Sequence, residues 1–260
     1  MFLLSLASLA GLAFVYGDFS PIIGPLAWPR DWIFVLAAVL IAACAGLLLK
    51  RTEVASAIAI SLYAIAWAAV RTTPIIQAPL SVGSWYGLSE AAALMVGVWT
   101  FYALHCRRDQ TSDASALTRA LSLRVRRTIF GGACLVWGLA HFAYAEYSLP
   151  FVPTWLPART ALVYLTGGCH VAAGVGLIIA VLPGLAAALE ALMIVLFGLL
   201  VWLPSHLQNP VPKWAGSPQN QWSETILNFF LAAVAWMIAD SFYRFKATVE
   251  RHSRGEKSIH

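Results

Sequence analysis

The sequence predicts an all-α membrane protein whose eight transmembrane helices form two tandem parallel four-helix bundles. Three observations lead to this prediction. First, 60% of the 260 residues are hydrophobic and only 11% are charged, whereas charged residues make up roughly a quarter of a typical soluble domain. Second, apolar stretches long enough to cross a bilayer recur along the chain without the alternating pattern of barrel strands. Third, the two halves of the sequence resemble each other.

The spans follow from the apolar stretches, each close to the roughly 17–25 residues that a membrane helix needs. They are predicted at residues 2–17, 31–49, 54–70, 86–105, 129–147, 159–181, 185–203 and 223–243. Proline clusters precede the second and the sixth span: Pro21, Pro25 and Pro29, then Pro150, Pro153 and Pro157. Leu182-Pro183-Gly184 predicts a tight turn between the sixth and seventh. The first stretch lacks the basic residues of a signal peptide, so we expect a retained helix.

An internal repeat appears when the sequence is shifted by 128 residues. Tyr16-Gly17-Asp18-Phe19-Ser20 then falls on Tyr144-Ala145-Glu146-Tyr147-Ser148, and Gly46 falls on Gly174. With a small drift, Pro74 matches Pro204 and Ser89-Glu90 matches Ser223-Glu224. Because each half has an even number of helices, both halves enter the membrane from the same side. The predicted domains are residues 1–105, a basic linker at 106–127, the second repeat at 128–247 and a basic tail at 248–260.

The positive charges predict the orientation. One end of the spans carries thirteen basic residues: Lys50, Arg51, Arg107, Arg108, Arg119, Arg124, Arg126, Arg127, Arg244, Lys246, Arg251, Arg254 and Lys257. The other end carries Arg30, Arg71, Arg159 and Lys213. The excess places both termini and the linker in the cytoplasm, and the net charge of +5 favours phospholipid headgroups over nucleic acid as partner.

Aromatic and cysteine residues add two smaller expectations. Tryptophans near the opposite face predict an interfacial belt: Trp28, Trp32, Trp85, Trp155, Trp214 and Trp222. Cys44, Cys134 and Cys169 lie within spans and Cys106 at a cytoplasmic end, with no C-x-x-C pair. A thiol–disulfide relay needs two thiols within reach, so buried structural cysteines are the better interpretation.

The second half contains a run of motifs that resembles the DoxX-like family of bacterial membrane proteins. The motifs are Gly138-Leu139-Ala140-His141-Phe142, Val152-Pro153-Thr154-Trp155-Leu156-Pro157, Tyr164-Leu165-Thr166-Gly167-Gly168-Cys169-His170 and Ala173-Gly174-Val175-Gly176-Leu177. The similarity continues through Glu190, Trp202-Leu203-Pro204 and Trp222-Ser223-Glu224, and it covers about residues 128–243. The first half resembles the family only through the repeat.

The resemblance implies a four-helix bundle in the bacterial inner membrane and an association with redox enzymes. Some relatives are subunits of thiosulfate:quinone oxidoreductases. The two repeats depart from the family's single bundle and indicate a fused dimer in which one half retains the site. A quinone or another lipophilic molecule is then the expected ligand, and a redox-enzyme subunit the expected partner.

Ionisable residues inside spans cost roughly 2.5–3.5 kcal/mol each on insertion scales, which makes them site candidates. We predict His141, His170, Glu190 and Glu224 as catalytic residues that line a cavity in the second bundle. Trp155, Trp222, Glu90 and His206 are predicted to bind ligand. Asp240 is explained by an ion pair with Arg244 four residues later.

The predicted geometry of these residues is as follows. Glu90 and Glu224 fall in the first turns of their spans, where Ser89 or Ser223 could cap the helix. His141 lies about seven residues below the outer end of the fifth span. His170 and Glu190 are expected about 9 Å apart along the hairpin and not in contact.

Several alternatives remain open. The histidines could simply bond a helix carbonyl or Thr166, or could ligate a b-type haem between the fifth and sixth spans. No spacing on one helix supports a metal cluster, and no nucleotide-binding or nucleophile-elbow motif is present. The alternatives to the quinone-binding prediction are an acid–base enzyme acting on a lipid or terpenoid, and a purely structural anchoring subunit.

Overall fold

A computed structural model of the chain describes residues 1–18, 29–105, 113–208 and 210–253. The described ranges are helical and contain no strand. Eight helices of 15 residues or more follow one another along the chain. They are α1 (Phe2–Tyr16), α2 (Arg30–Gly46), α3 (Glu53–Gln77), α4 (Val82–His105), α5 (Asp113–Ala143), α6 (Arg159–Ile179), α7 (Pro183–Ser205) and α8 (Pro218–Ser253).

Five of these helices are long and apolar enough to cross a membrane: α3, α4, α6, α7 and α8. A sixth span is added if α5 is counted with the short helical segment that follows it, although the chain bends there by 93°. The helix α1 is apolar but has only 15 residues. By length and composition, the described part of the chain thus contains five helices, or six with the bent pair, that could cross a membrane.

Among the helix boundaries that differ from the prediction, three bear on the predicted linker, on Pro74 and on His141. The helix α5 begins at Asp113, so most of the predicted linker at 106–127 is helical. The helix α3 continues past the predicted end at residue 70 to Gln77, with Pro74 inside it. The helix α5 ends at Ala143 and not at 147, which places His141 in its last turn and corrects the predicted depth of seven residues.

Several predictions concern residues whose structure or side chains lie outside the described part of the chain. They are Pro21, Pro25, Trp28, Cys106, Arg107, Arg108, Arg119, Arg251, Arg254 and Lys257.

The helices pack against their neighbours along the chain, and helices of one half also pack against helices of the other. Within each half, every long helix packs against the next one along the chain. Between the halves, α4 packs on α5, α8 packs on α1, and α4 also packs on α8. One hydrophobic core runs through both halves, and α8 is the most buried of the five candidate membrane spans in the described residues.

Corresponding helices of the two halves bury corresponding positions. Phe2, Ser5, Leu6 and Leu9 are buried in α1, and the residues 128 positions later are buried in α5. These residues are Phe130, Ala133, Cys134 and Trp137. An offset of 130 matches the buried positions 33, 37, 40, 43 and 44 of α2 with 163, 167, 170, 173 and 174 of α6. The burial pattern therefore relates the packed faces of α1 and α2 to those of α5 and α6.

Hydrogen bonds tie the halves together at one end of the molecule, which we call the loop end. It comprises residues 78–81, 144–158 and 206–217. The phenol oxygen of Tyr144, after α5, accepts from the Gly83 backbone N–H and bonds the Ser81 hydroxyl at the start of α4. Gln219 at the start of α8 donates to the carbonyl oxygen of Asp18, after α1. In each half, the loop-end terminus of the first helix is thus hydrogen-bonded to the last helix of the other half.

Two side-chain predictions can be compared with the structure directly. The ion pair between Asp240 and Arg244 is confirmed, at 2.7 Å. The buried-cysteine prediction holds for Cys44 and Cys134 but is wrong for Cys169, which is exposed on α6 because it points away from the packed face that carries His170.

The tryptophans of the predicted belt differ in their exposure. Trp32, Trp85, Trp155 and Trp222 are exposed. Trp214 instead packs against Phe151 and Trp202, with ring centroids 5.1 and 5.6 Å away.

Candidate functional site

Glycines bring α5 and α6 into close contact and so position the candidate site. A Cβ at Gly138 would lie 2.7 Å from the carbonyl oxygen of Gly167, and one at Gly174 would lie 2.7 Å from that of Gly131. Small residues allow helix backbones in a membrane to approach this closely. His170 follows Gly167 on the same packed face of α6, and therefore it is held against α5.

The turn between α6 and α7 brings His170 to Glu190. Helix α6 ends at Ile179, α7 begins at Pro183, and Ala180 and Leu182 take left-handed backbone conformations. The Nδ1 atom of His170 lies 2.6 Å from Oε1 of Glu190. Both side chains are buried, with residue exposures of 3% and 1%.

This contact corrects the prediction that the two side chains lie about 9 Å apart. The prediction centred the hairpin on Pro183, whereas the helix ends centre it near residue 181. Residue 170 then lies opposite residue 192 or so. Glu190 is two residues from that position, or roughly 3 Å along the helix axis. Thr166 is not the partner of His170, since its hydroxyl donates to the carbonyls of Leu162 and Val163 within α6.

Three rings surround His170. Trp137 and His141 of α5 have ring centroids 6.1 and 5.2 Å from it, and Phe197 of α7 lies 5.8 Å away. Phe197 also stacks on His141 at 6.0 Å. Trp137 is buried, whereas His141 and Phe197 are partly exposed at the surface of the helix assembly. His141 and Phe197 therefore lie between the buried pair and that surface. We call Trp137, His141, His170, Glu190 and Phe197 the His–Glu cluster.

The hydrogen bonds of the His–Glu cluster define where protons lie. The Nδ1 atom of His141 is 2.9 Å from the carbonyl oxygen of Trp137. Because a carbonyl only accepts, this nitrogen carries a proton, and Nε2 remains for another partner. Cys134 lies beside the Glu190 carboxyl group, but the buried Oε2 atom of Glu190 makes no hydrogen bond, and neither does the buried indole nitrogen of Trp137.

The packing of α5 on α6 argues against the haem alternative. A haem ligated by His141 and His170 would stand between these two helices. The contacts of Gly138 with Gly167 and of Gly131 with Gly174 leave no room there for a macrocycle. Among the described residues, no group of three or more His, Cys, Asp or Glu side chains could hold a metal ion.

Glu224 does not join the His–Glu cluster, contrary to the prediction. It interacts electrostatically with Glu90 of α4, which also feels the charge of Arg71 of α3. The Arg71 side chain lies against Gly87, where a Cβ would stand 2.5 Å from its Cδ. The prediction treated each repeat as a separate bundle, but α4 and α8 are in contact, and the two carboxyl groups lie within electrostatic range of each other. We call Arg71, Glu90 and Glu224 the carboxylate cluster.

The first-turn positions predicted for these glutamates are wrong as well. Glu90 stands eight residues after Val82 and Glu224 six residues after Pro218, because both helices start earlier than the apolar stretches. Ser89 is not a cap, since its hydroxyl donates to the carbonyl of Tyr86 within α4. Glu90 is buried and Glu224 partly buried.

The remaining ligand-binding predictions fall at the loop end. The His206 ring packs on the Trp222 ring at a tilt of 33°, with ring centroids 4.1 Å apart, and its Nε2 atom bonds the Thr225 hydroxyl at 3.2 Å. Partial burial lowers the pKa of His206 below its usual value, against a smaller opposing effect of the Gln221 carbonyl. Trp155 is exposed in the segment before α6, and the described residues show no ring contact between it and the His–Glu cluster.

A small apolar cavity lies in the first half and not beside His170. Its lining includes Leu6, Leu9, Leu40, Tyr63, Trp67 and Phe230. By the offsets of 128 and 130, four of these are the counterparts of Cys134, Trp137, His170 and Phe197. The cavity therefore occupies the place that the His–Glu cluster takes in the second half.

Sequence reasoning missed three residues of the two clusters and two more that lie about one turn before Glu90 and Glu224 on their helices. Trp137 and Phe197 carry no charge and look like ordinary core residues, and Tyr86 and Gln221 lie close to ends of predicted spans. Arg71 was assigned to a loop because the apolar run ends at residue 70. The helix nevertheless continues through Arg71 to Gln77, and an arginine inside a longer helix would have signalled a buried partner.

No protein-family model, curated protein or solved structure matches this chain.

Proposed function

We propose that this chain is a DoxX-like membrane component of a redox system that binds a quinone or another lipophilic molecule beside the His–Glu cluster. The observation that carries the proposal is the 2.6 Å contact between the buried side chains of His170 and Glu190. Ionisable groups within membrane spans are rare, and they mark substrate sites and proton paths. The resemblance of residues 128–243 to the DoxX-like family supplies the redox context.

The cluster places two imidazole rings between its buried carboxyl group and the surface of the helix assembly. One proton lies between Nδ1 of His170 and Oε1 of Glu190. The His141 ring is 5.2 Å from the His170 ring and partly exposed. In the proposal a quinone oxygen accepts from Nε2 of protonated His141, and the His170–Glu190 pair lies one ring further into the helix assembly.

The surface beside His141 suits a flat, lipophilic molecule. Phe142 and Tyr164 are exposed there, and their rings stack at 6.0 Å. Gly167 lies buried beneath this surface, where a Cβ would stand 2.8 Å from Cβ of His141 and 3.3 Å from Cζ of Phe142, so both residues pack directly on the α6 backbone. A five-residue π-helical turn, Gly198–Trp202, follows Phe197 in α7, and such turns are frequent at functional sites.

The proposed setting is the bacterial inner membrane, with all eight helices crossing as two tandem parallel four-helix bundles and both termini in the cytoplasm. Helices α1 and α2, at 15 and 17 residues, would span about 22–26 Å and require some local thinning of the bilayer. The partners would be membrane lipids and a redox-enzyme subunit that supplies the electrons. Reporter fusions at positions 50, 115 and 255 should all report cytoplasm, and a reporter at 115 on the opposite side from 255 would contradict the parallel repeat.

Mass spectrometry of lipids extracted from the purified protein tests the function. The wild type should retain a quinone or isoprenoid in near-stoichiometric amount, and His170→Ala and Glu190→Gln should lose it while still inserting into the membrane. Cys44→Ser, a buried change in the first half, is the matched control and should retain it. If the wild type retains only phospholipid, or if all four proteins retain the same molecule, the proposal is wrong and an anchoring subunit becomes the better explanation. A lipid or terpenoid converted on incubation would instead indicate the acid–base enzyme.

A further inference from the structure

We propose that Arg126 binds the phosphate group of an anionic phospholipid at the end of the helix assembly opposite the loop end. This inference rests on the chain crossing a membrane, but not on the ligand proposed for the His–Glu cluster. It starts from three neighbouring arginines in α5, which are Arg124, Arg126 and Arg127.

The three arginines differ in their surroundings. Arg124 is exposed. Nη1 of Arg127 donates to the carbonyl oxygens of Leu177 and Ile178 at the end of α6, where a helix leaves its carbonyls without partners. Arg126 is buried, at 4% exposure, and its Nη1 atom has no hydrogen-bond acceptor. Arg126 therefore combines burial with an unused donor, which the other two arginines do not.

The packing of Arg126 determines the direction in which its side chain runs. Arg126 shares the packed face of α5 with Leu123 and Phe130, which are buried as well. Its Nε atom donates to the carbonyl oxygen of Ser122, 3.2 Å away and one turn closer to the start of the helix. The guanidinium therefore extends towards the end of the helix and away from the hydrocarbon core, as arginines near a membrane surface do.

The depth of the guanidinium matches the headgroup layer of a bilayer. Ser122 lies 21 residues before Ala143, the last residue of α5, which corresponds to about 32 Å along the helix axis. The chain bends by 93° after Ala143, as expected where a helix leaves the membrane. Because the hydrocarbon core is about 30 Å thick, a membrane surface at Ala143 places the guanidinium among the headgroups of the other leaflet.

The charge of Arg126 requires an anion. The ion pairs found among the described residues do not include Arg126, and Arg124 and Arg127 add two positive charges close to it along the chain. A buried charge without a counter-charge is strongly unfavourable, and a buried donor without an acceptor needs one. A guanidinium matches the oxygens of a phosphate in both charge and geometry. A lipid headgroup supplies such oxygens at this depth.

The same charges favour an anionic phospholipid over a zwitterionic one. A zwitterionic headgroup carries an ammonium group beside its phosphate, and the neighbouring arginines would repel that group. A headgroup with a net negative charge avoids this repulsion, and basic pockets between membrane helices bind such headgroups. The expected ligand is therefore a phospholipid with a net negative charge, such as phosphatidylglycerol.

Native mass spectrometry of the purified chain tests the site with phosphatidylglycerol and phosphatidylcholine as probes. The wild type should bind one phosphatidylglycerol, and phosphatidylcholine more than about tenfold more weakly. Arg126→Gln should weaken phosphatidylglycerol binding by more than about tenfold, because the buried charge is lost. Arg124→Gln is the matched control, since it removes the same charge from an exposed position of the same helix. It should weaken binding by no more than about fivefold.

Unfolding temperatures in the two lipids separate lipid binding from a structural role within the protein. In phosphatidylcholine, Arg126→Gln should be at least as stable as the wild type, because it removes a buried charge without a counter-charge. In phosphatidylglycerol the order should reverse, since the bound lipid stabilises the folded wild type. Inorganic phosphate added to the wild type in phosphatidylcholine should leave the unfolding temperature unchanged.

Four outcomes would overturn the proposal. The first two are equal phosphatidylglycerol binding by Arg126→Gln and the wild type, and equal weakening by Arg126→Gln and Arg124→Gln. The third is a loss of stability in Arg126→Gln that is the same in both lipids. The fourth is stabilisation by inorganic phosphate equal to that by phosphatidylglycerol, which would indicate a site for a free anion. If Arg126→Gln does not fold, Arg126→Lys decides the result, because it keeps the charge but loses the planar fork. This variant should bind phosphatidylglycerol more weakly than the wild type, and equal binding would overturn the proposal.

Discussion

The two helical hairpins α2–α3 and α6–α7 occupy corresponding places in the two halves but differ at one pair of buried positions. In the second half these positions hold His170 and Glu190, and in the first half, 130 residues earlier, they hold Leu40 and Ile60. Each of these four residues is at most 3% exposed. The fold therefore accepts an apolar pair at this place, and packing alone does not require the histidine and the glutamate.

The energetic cost of polar groups in a membrane also argues that packing does not require this pair. Interhelical hydrogen bonds in membranes contribute about 0.6 kcal/mol on average, less than the roughly 2.5–3.5 kcal/mol cost of inserting one charged group. The residues around this position also differ between the two halves. Trp137 and Phe197 stand beside the polar pair, whereas their counterparts Leu9 and Trp67 line the small apolar cavity of the first half. The second half keeps a polar cluster at a cost that its counterpart avoids, which is the argument that the cluster is functional.

The largest expected effect comes from breaking the pair. His170→Ala or Glu190→Ala leaves a buried polar partner uncompensated, and we expect the free energy of unfolding to fall by about 3–5 kcal/mol. The double variant His170→Leu with Glu190→Ile copies the first half and should be within about 1 kcal/mol of the wild type or more stable. Steric trapping in detergent or bilayers measures both. A double variant as unstable as either single variant would mean that the two hairpins are not equivalent.

The close contact of α5 with α6 gives the next largest effect. Gly138→Ala places a Cβ against the Gly167 carbonyl and should cost about 1–3 kcal/mol. Gly132→Ala on the same helix meets nothing within 4 Å and should stabilise the helix by about 0.5–1 kcal/mol. The counterpart of Gly138 in the first half is already an alanine, Ala10. Equal effects of the two substitutions on unfolding would contradict the close approach on which the His–Glu cluster depends.

The pH dependence at the loop end should also separate the halves. The pKa of His206 is lowered in the folded state, so the unfolded state binds a proton more readily. Stability is therefore complete above the unfolded value of about 6.5 and falls as the pH drops below it. The counterpart of His206 is Ile76, which does not titrate. Unfolding temperatures measured from pH 8 to 5 should fall more for the wild type than for His206→Gln, and parallel curves would refute the assignment.

The smallest effect is expected at Asp240. Its ion pair with Arg244 is largely exposed, with the two side chains 33% and 59% accessible. Asp240→Asn should reduce the free energy of unfolding by no more than about 0.5 kcal/mol, and ligand retention should be unchanged. Loss of retention in this variant would show that the site extends to the terminal end of α8.

Much of the helical order could be predicted from the sequence because apolar runs and prolines determine where membrane helices start and stop. The Asp240–Arg244 pair was predictable because its spacing lies within one helix. The contact of His170 with Glu190 was missed because it depends on which residue lies at the centre of the turn between α6 and α7. The prediction placed that centre at Pro183, about two residues too late, and this error moves the residue opposite His170 by about four positions. The electrostatic interaction of Glu90 with Glu224 was missed because it depends on how the two halves pack, which neither half encodes by itself.

The central claim is that the His–Glu cluster binds a lipophilic molecule, and the double variant His170→Leu with Glu190→Ile tests it most directly. Equilibrium binding of a short-chain quinone should be measured on the wild type and on this variant, with Leu40→Ile as a matched change in the first half. The account predicts that the double variant folds like the wild type but binds the quinone at least tenfold more weakly, while Leu40→Ile binds it normally. Undiminished binding by a folded double variant would contradict the account.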